Sequence, residues 1–433
     1  MKLASPKDKQ PLQGKIRLPP SPHLSVTSIL TLAAIGGGVA ANVARSFHVE
    51  VTVHLLKRLG YKLDWVAADK LMISSTNVNG ASKRHAISVG CYPWLLPLLA
   101  MFYTAKGSAG SLLVLRGECD WMLKLDYRDV LESIGSIGGK AWPGEKLSSL
   151  LVVEGFKGRL PTSLWRIVVR NNIYTIIGTI IAAIATEYTR STLLRGTTPY
   201  TPWLKELINV FNGFGIRISI ETGRFSIQLP NKNEKEVAVG STCFEAALLA
   251  APIAASRGRA KLVGVIDGEC VSDLAYTLQS IGCEIEIENK SLTLDCRDRE
   301  ARSLIAKVVA PPLTLPYLGL GIAVKADATL SGISGLVYEG VQLSRFISIL
   351  EKLGFTLIVE RERVVSVVGE EPRKRVIVDC SLLPELCFIL IPPALSPDIE
   401  TEIVFNNIET VESIAPGFLE ALWSLGANFR QLG

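Results

Sequence analysis

Apolar and polar positions along the chain follow one recurring pattern: a helical stripe, a glycine, then two alternating strands. In its clearest copy, Val271, Leu274, Leu278 and Ile281 stand at i, i+3, i+7 and i+10, one apolar face of a helix. Gly282 follows as a left-handed stop. Residues 283–287 then alternate apolar and polar, Asn289-Lys290 turns the chain, and Leu292-Thr293-Leu294 returns. The same helix end recurs at Gly60, Gly135, Gly215, Gly282, Gly354 and Gly426, at intervals of 75, 80, 67, 72 and 72 residues. Six units of that length account for all 433 residues.

Each unit also predicts a second helix, at 26–35, 94–103, 173–186, 244–255, 317–324 and 385–390. These segments are apolar on nearly every side, the mark of a helix with no solvent face. A unit therefore reads as strand, buried helix, strand, amphipathic helix and two more strands (βαβαββ), and the chain as an α/β (α+β) protein. Its length suits two or three domains.

Composition narrows the function. Apolar residues make up 48% and charged residues 20%, which excludes a disordered chain. The net charge of +5 arises largely in the first 17 residues, where Lys2, Lys7, Lys9, Lys15 and Arg17 oppose Asp8. The remainder is nearly neutral, so no nucleic-acid surface is expected. The most apolar stretches, 94–102, 173–185 and 386–395, are too short to span a bilayer, and two carry internal prolines. The polar start has no signal-peptide pattern, so a cytoplasmic protein with eight free, buried thiols is expected. No CxxC pair occurs and the four histidines do not cluster with cysteines, so neither a metal nor a cofactor is expected. Gly319-x-Gly321 lacks the strand–turn–helix setting of a dinucleotide site, and no phosphate-binding GxxxxGK[ST] occurs.

Several motifs resemble the enolpyruvyl transferase family of EPSP synthase type. Leu18 to Thr27 fits the family's opening Leu-Pro-Gly-Ser-Lys-Ser-x-Ser-x-Arg without gaps. Thr198-Pro199-Tyr200 is similar to its Ser-x-Pro-Tyr, residues 240–258 to its Gly-Asp-x-Ser-Ser segment, and residues 337–342 to its Val-Lys-Glu-Thr-Asp-Arg. The resemblance implies a two-lobe inside-out α/β barrel of six βαβαββ repeats. One lobe would join residues 1–20 to 235–433, and the other would be 21–234. It implies a monomer that transfers enolpyruvyl from phosphoenolpyruvate to shikimate 3-phosphate in an interlobe cleft, a step of aromatic amino-acid biosynthesis.

The residues that would do this are largely replaced. The opening Lys, Ser and Arg fall on Pro22, His23 and Thr27, a second Arg on Trp94, and the acid/base Asp on Pro311. In Lys-Glu-Thr-Asp-Arg only Glu339 persists, the cations being Tyr338 and Gln342, and an Asp-His-Arg becomes Ser381-Leu382-Leu383. Phosphates and carboxylates held together require cations. Each charge-assisted bond contributes ~1.5–3 kcal/mol, so losing about five removes ~7–15 kcal/mol. Candidate groups that persist are Glu339 for catalysis, and Arg170, Asn171, Asn172, Ser21, His23, Tyr200 and Arg345 for binding an anion. Arg170-Asn171-Asn172 stands before a buried helix, whose N-terminus favours negative charge. Two readings follow: a transferase altered in substrate, or a non-catalytic descendant that binds an anionic metabolite or a protein partner. A third family of similar units, the RNA 3′-phosphate cyclases, would need a basic face that this chain lacks.

Overall fold

A computed structural model describes residues 1–75, 84–144, 149–156, 165–168, 172–188, 192–195, 201–221, 223–229, 236–300, 303–333, 344, 346–360, 363–368, 374–381 and 384–432. Six four-stranded sheets share one topology. Ser303–Lys307 runs parallel to Asp327–Ser331, which pairs antiparallel with Arg363–Val368, which pairs antiparallel with Phe355–Glu360. The other five repeat this order, with one helix after the first strand and another after the second. The fold is α/β. Among the described residues the sheets remain six separate ladders and do not join into one hydrogen-bonded barrel.

Three strands come from distant parts of the chain. Gln13–Arg17 pairs parallel with Arg259–Val263, while Glu236–Ala238 pairs parallel with Val39–Ala41. Two repeats have thus exchanged first strands. Lys2–Ala4 fits between Glu402–Asn406 and Arg430–Gln431, so both chain ends lie in one sheet. Two compact units result, Pro22–Val239 and the stretch from Gly240 onward joined by Met1–Ser21. The division falls at 239/240, not at the expected 234/235, because Glu236–Ala238 belongs to the sheet of Val39. The two crossings are fastened where the chain changes unit: Ser21 N donates to Gly240 O (2.9 Å) and Ser241 Oγ to Pro19 O (2.6 Å).

Within each unit three helices form the core. In the first these are Pro22–Ala34, Leu95–Lys106 and Tyr174–Ala185; in the second, Cys243–Ala255, Thr314–Ala323 and Pro384–Leu395. All are buried over almost their whole length, as their lack of a polar face requires. The amphipathic helices end on left-handed glycines at Gly60, Gly215, Gly282, Gly354 and Gly426. In the second repeat the helix runs to Ser136, and the left-handed glycine is Gly138, not the expected Gly135. Among the described residues no helix is long and apolar enough to cross a membrane.

The expectation of free thiols is overturned. All eight cysteines pair, as Cys91–Cys119, Cys243–Cys270, Cys283–Cys296 and Cys380–Cys387. Cys91 and Cys119 follow two neighbouring parallel strands, Arg84–Ser88 and Leu112–Arg116. Cys243 and Cys270 open the buried and the amphipathic helix of one repeat. The repeat itself brings each pair to Cα separations of 5.3 and 5.9 Å.

Candidate functional site

The three core helices of the Pro22–Val239 unit begin at one place. His23 is the second residue of Pro22–Ala34, Trp94 immediately precedes Leu95–Lys106, and Tyr174 opens the third helix. Ring centroids of His23 and Trp94 are 4.4 Å apart, Trp94 and Tyr174 5.3 Å, and His23 and Tyr174 5.9 Å. Trp203, from the amphipathic helix Thr201–Ile208, meets His23 edge-on at 5.5 Å and donates Nε1–H to Tyr174 Oη (3.3 Å). His48, from the amphipathic helix Phe47–Arg58, lies 4.9 Å from Trp94 and 4.4 Å from Tyr92.

Local chemistry holds these rings in place. Ser46 caps the Phe47–Arg58 helix, its Oγ accepting from Val49 N (3.3 Å). Asn172 Oδ1 accepts from Tyr174 N (3.1 Å), fixing the start of the third core helix. The loop carrying Tyr92 and Trp94 is tied by the Cys91–Cys119 disulfide, by Val89 N to Arg116 O (2.9 Å) and by Glu118 N to Gly90 O (2.9 Å). Gly90 has φ +61°, and a Cβ there would stand 2.8 Å from the Phe47 ring. Only glycine lets the loop approach so closely.

Rings fill the place where the three helix starts meet. Three helix N-termini converge with their partial positive charge, a setting that favours anions. Rings occupy that place instead. Burial first, and the neighbouring His23 second, hold the His48 imidazole well below its ordinary pKa, so at neutral pH it is uncharged. Thr27 Oγ1 donates back to His23 O (2.9 Å).

In the other unit the chain's own polar groups occupy the helix starts. Glu245 Oε2 accepts from Thr242 N and Thr242 Oγ1, both at 2.6 Å, closing a capping box on Cys243–Ala255. Glu385 lies buried in the first turn of Pro384–Leu395. Pro311 begins a buried turn ahead of Thr314–Ala323 and offers no acid. Nearby, Tyr317 Oη donates to Asp273 Oδ2 (3.3 Å). Burial pushes Asp273 up to about 6, against the opposing effects of the Tyr317 bond and the Lys307 charge.

Of the residues proposed from sequence, Ser21, His23 and Asn172 are all buried, His23 at 6% exposure in the first turn of its helix. His23 and Asn172 come to the same cluster, Asn172 through Tyr174. Arg170, Asn171, Tyr200, Glu339 and Arg345 lie outside the described residues. Sequence reasoning missed His48 and the Asp273–Tyr317 pair. Ser46, an N-cap ahead of an amphipathic helix, marks the helix start that buries His48, whereas no local pattern marks Asp273. With every cysteine paired, no thiolate is offered to a metal.

No family model and no curated protein matches the sequence. The likeness lies in architecture, to solved structures of enolpyruvyl transferases. An EPSP synthase from Acinetobacter baumannii superposes with TM-score 0.72 at 14% identity, covering 99% of both chains. A second structure of EPSP synthase from the same organism gives 0.71 at 15%, covering 100% of both. The enolpyruvyl transferase NikO from Streptomyces tendae gives 0.70 at 15%, covering 99% of this chain and 98% of its own. At such identities the match establishes the fold.

Proposed function

We propose that this chain is an EPSP synthase-like protein that has lost the usual enolpyruvyl transfer between phosphoenolpyruvate and shikimate 3-phosphate. The observation that carries this reading is the contact of Trp94, the counterpart of a family Arg, with both His23 and His48 at the convergent helix starts. A cluster of rings around an uncharged His48 cannot replace guanidinium and ammonium groups facing two phosphorylated reactants. Losing about five such bonds, at ~1.5–3 kcal/mol each, would weaken binding by five or more decades. The test is thermal denaturation with both reactants, alongside phosphate release from the pair. No shift in midpoint and no phosphate are expected; stabilisation with turnover would refute the reading.

One observation favours a second reading, a transferase of altered acceptor. Asp273, titrating at about 6 beside Tyr317, lies in the range useful for proton transfer. Phosphate release from phosphoenolpyruvate with an uncharged hydroxyl acceptor, lost in Asp273→Asn, would support it.

A further inference from the structure

His48 is a buried titratable group to which the proposed function gives no proton to carry, and a role for it rests on that reading only for the ring cluster itself. It is 2% exposed, and neither ring nitrogen has a hydrogen-bond partner. A buried imidazole ordinarily uses one nitrogen as donor and the other as acceptor. Its neighbours are rings: Tyr92 edge-on at 4.4 Å, Trp94 at 4.9 Å and Phe47 at 6.0 Å. Trp94 also touches His23, so one indole contacts two imidazoles. Both histidines stand in the first turns of their helices, where a positive charge is least welcome. We propose that the His23–Trp94–His48 stack is a pH-sensitive latch. The uncharged His48 ring holds the loop 88–94 against the starts of the core helices, and its protonation releases it.

Among the described residues the surroundings of His48 supply no counter-charge. The Phe47–Arg58 helix packs chiefly on Pro22–Ala34, Tyr61–Ala67, Arg84–Ser88 and Leu95–Lys106. Pro22–Ala34 has His23 alone as a titratable group. Tyr61 donates its hydroxyl to Ala33 O, and Lys62 pairs with Asp64. Arg84–Ser88 brings Arg84 and His85, and Leu95–Lys106 brings Tyr103 and Lys106. The loop adds Tyr92, and beside it Glu118 is engaged by Ser88 Oγ (2.7 Å). On its own helix stand Glu50, His54, Lys57 and Arg58. Of all these only His23 bears on the His48 charge, and it repels. The Trp94 ring offers a cation some attraction, but two buried N–H donors without acceptors outweigh it.

Hydrogen exchange on the full chain between pH 7.5 and 5, corrected for intrinsic rates, tests the latch. The opening constant of amides in the loop 88–94 is expected to rise about tenfold per pH unit below about 6.5 for each proton taken up. The Tyr174–Ala185 helix should keep its protection throughout. His48→Phe should abolish most of the slope. An unchanged slope in that variant, or joint opening of loop and helix, would overturn the proposal. Should His48→Phe fail to fold, the Cε1 proton of wild-type His48 decides. A midpoint well below 6.5 supports the latch, and one at or above 6.5 sinks it. None of these readouts depends on whether the protein turns over a substrate.

Discussion

Arg299 and Asp398 form a 2.6 Å salt bridge at the C-terminal end of the Cys243–Ala255 helix. Arg299 also donates Nε–H to Ala254 O (2.7 Å) and Nη2–H to Ala255 O (2.9 Å). Ala254 O also accepts from Arg257 N (3.2 Å), whereas Ala255 O is a helix-end carbonyl satisfied by a cation suited to the negative helix end. Asp398 takes a second bond from Arg257 (3.1 Å), a residue far more exposed. Arg299→Met would strand Ala255 O and break the buried end of the Asp398 pair, and is expected to cost about 3 kcal/mol. Arg257→Ala should cost less than about 1 kcal/mol. Urea midpoints of the two variants separate these cases, and equal losses would mean that the carbonyl contacts contribute little.

Each unit has one glycine where two core helices touch backbone to backbone. A Cβ on Gly178 would stand 2.7 Å from Pro97 O, and one on Gly319 only 2.5 Å from Ile389 O. Alanine is intrinsically the better helix former by about 1 kcal/mol. Here the close approach reverses that preference, since backbone oxygens cannot move aside without parting the helices. Gly178→Ala and Gly319→Ala are each expected to destabilise by about 1–3 kcal/mol, read as a lower thermal midpoint. Gly135→Ala, whose Cβ would meet nothing within 4 Å, should be neutral or stabilising.

The repeat was legible because the periods of helix and strand belong to each segment alone. Val271, Leu274, Leu278 and Ile281 announce their face without reference to any partner. What escaped notice depends on partners far away in the chain. His48 is buried by Tyr92 and Trp94, which arrive from the next repeat, and Lys2–Ala4 is too short to show any alternation. The disulfides hid behind the absence of CxxC. Their signal, separations of 28 and 27 residues at equivalent places in two repeats, shows only when the repeats are laid over one another. Nothing local to Trp94 marks its contacts with His23 and His48, which come from other helices of the unit.

The disulfides differ in the loops they close, and their contributions should differ accordingly. Cys91–Cys119 spans 28 residues and Cys380–Cys387 spans 7. On the loop-closure view the first restricts the unfolded chain by about 3–4 kcal/mol and the second by about 2. Paired Cys→Ala replacement of Cys91 and Cys119 is expected to lower the thermal midpoint more than that of Cys380 and Cys387. It should also loosen the Tyr92–Trp94 loop, seen as faster cleavage there by a protease. Alkylation of the unfolded, unreduced chain should label no cysteine, and labelling of all eight would remove the premise.

Asp273 makes the second unit less stable as the solution becomes less acidic. Its carboxyl titrates at about 6 in the folded chain against 3.8 ordinarily, so the folded state holds the proton more tightly than the unfolded state. Stability from this group is complete below pH 3.8 and is lost as pH rises through 6. A shift of this size in a partly exposed carboxyl corresponds to about 1–2 kcal/mol once solvent screening is allowed for. Asp273→Asn keeps an acceptor for Tyr317 Oη and removes the charge. It should raise the urea midpoint at pH 7.5 and leave it nearly unchanged at pH 4. A variant that loses stability equally at both values would show that the carboxylate is stabilising in its charged form, with Lys307 and Tyr317 outweighing burial.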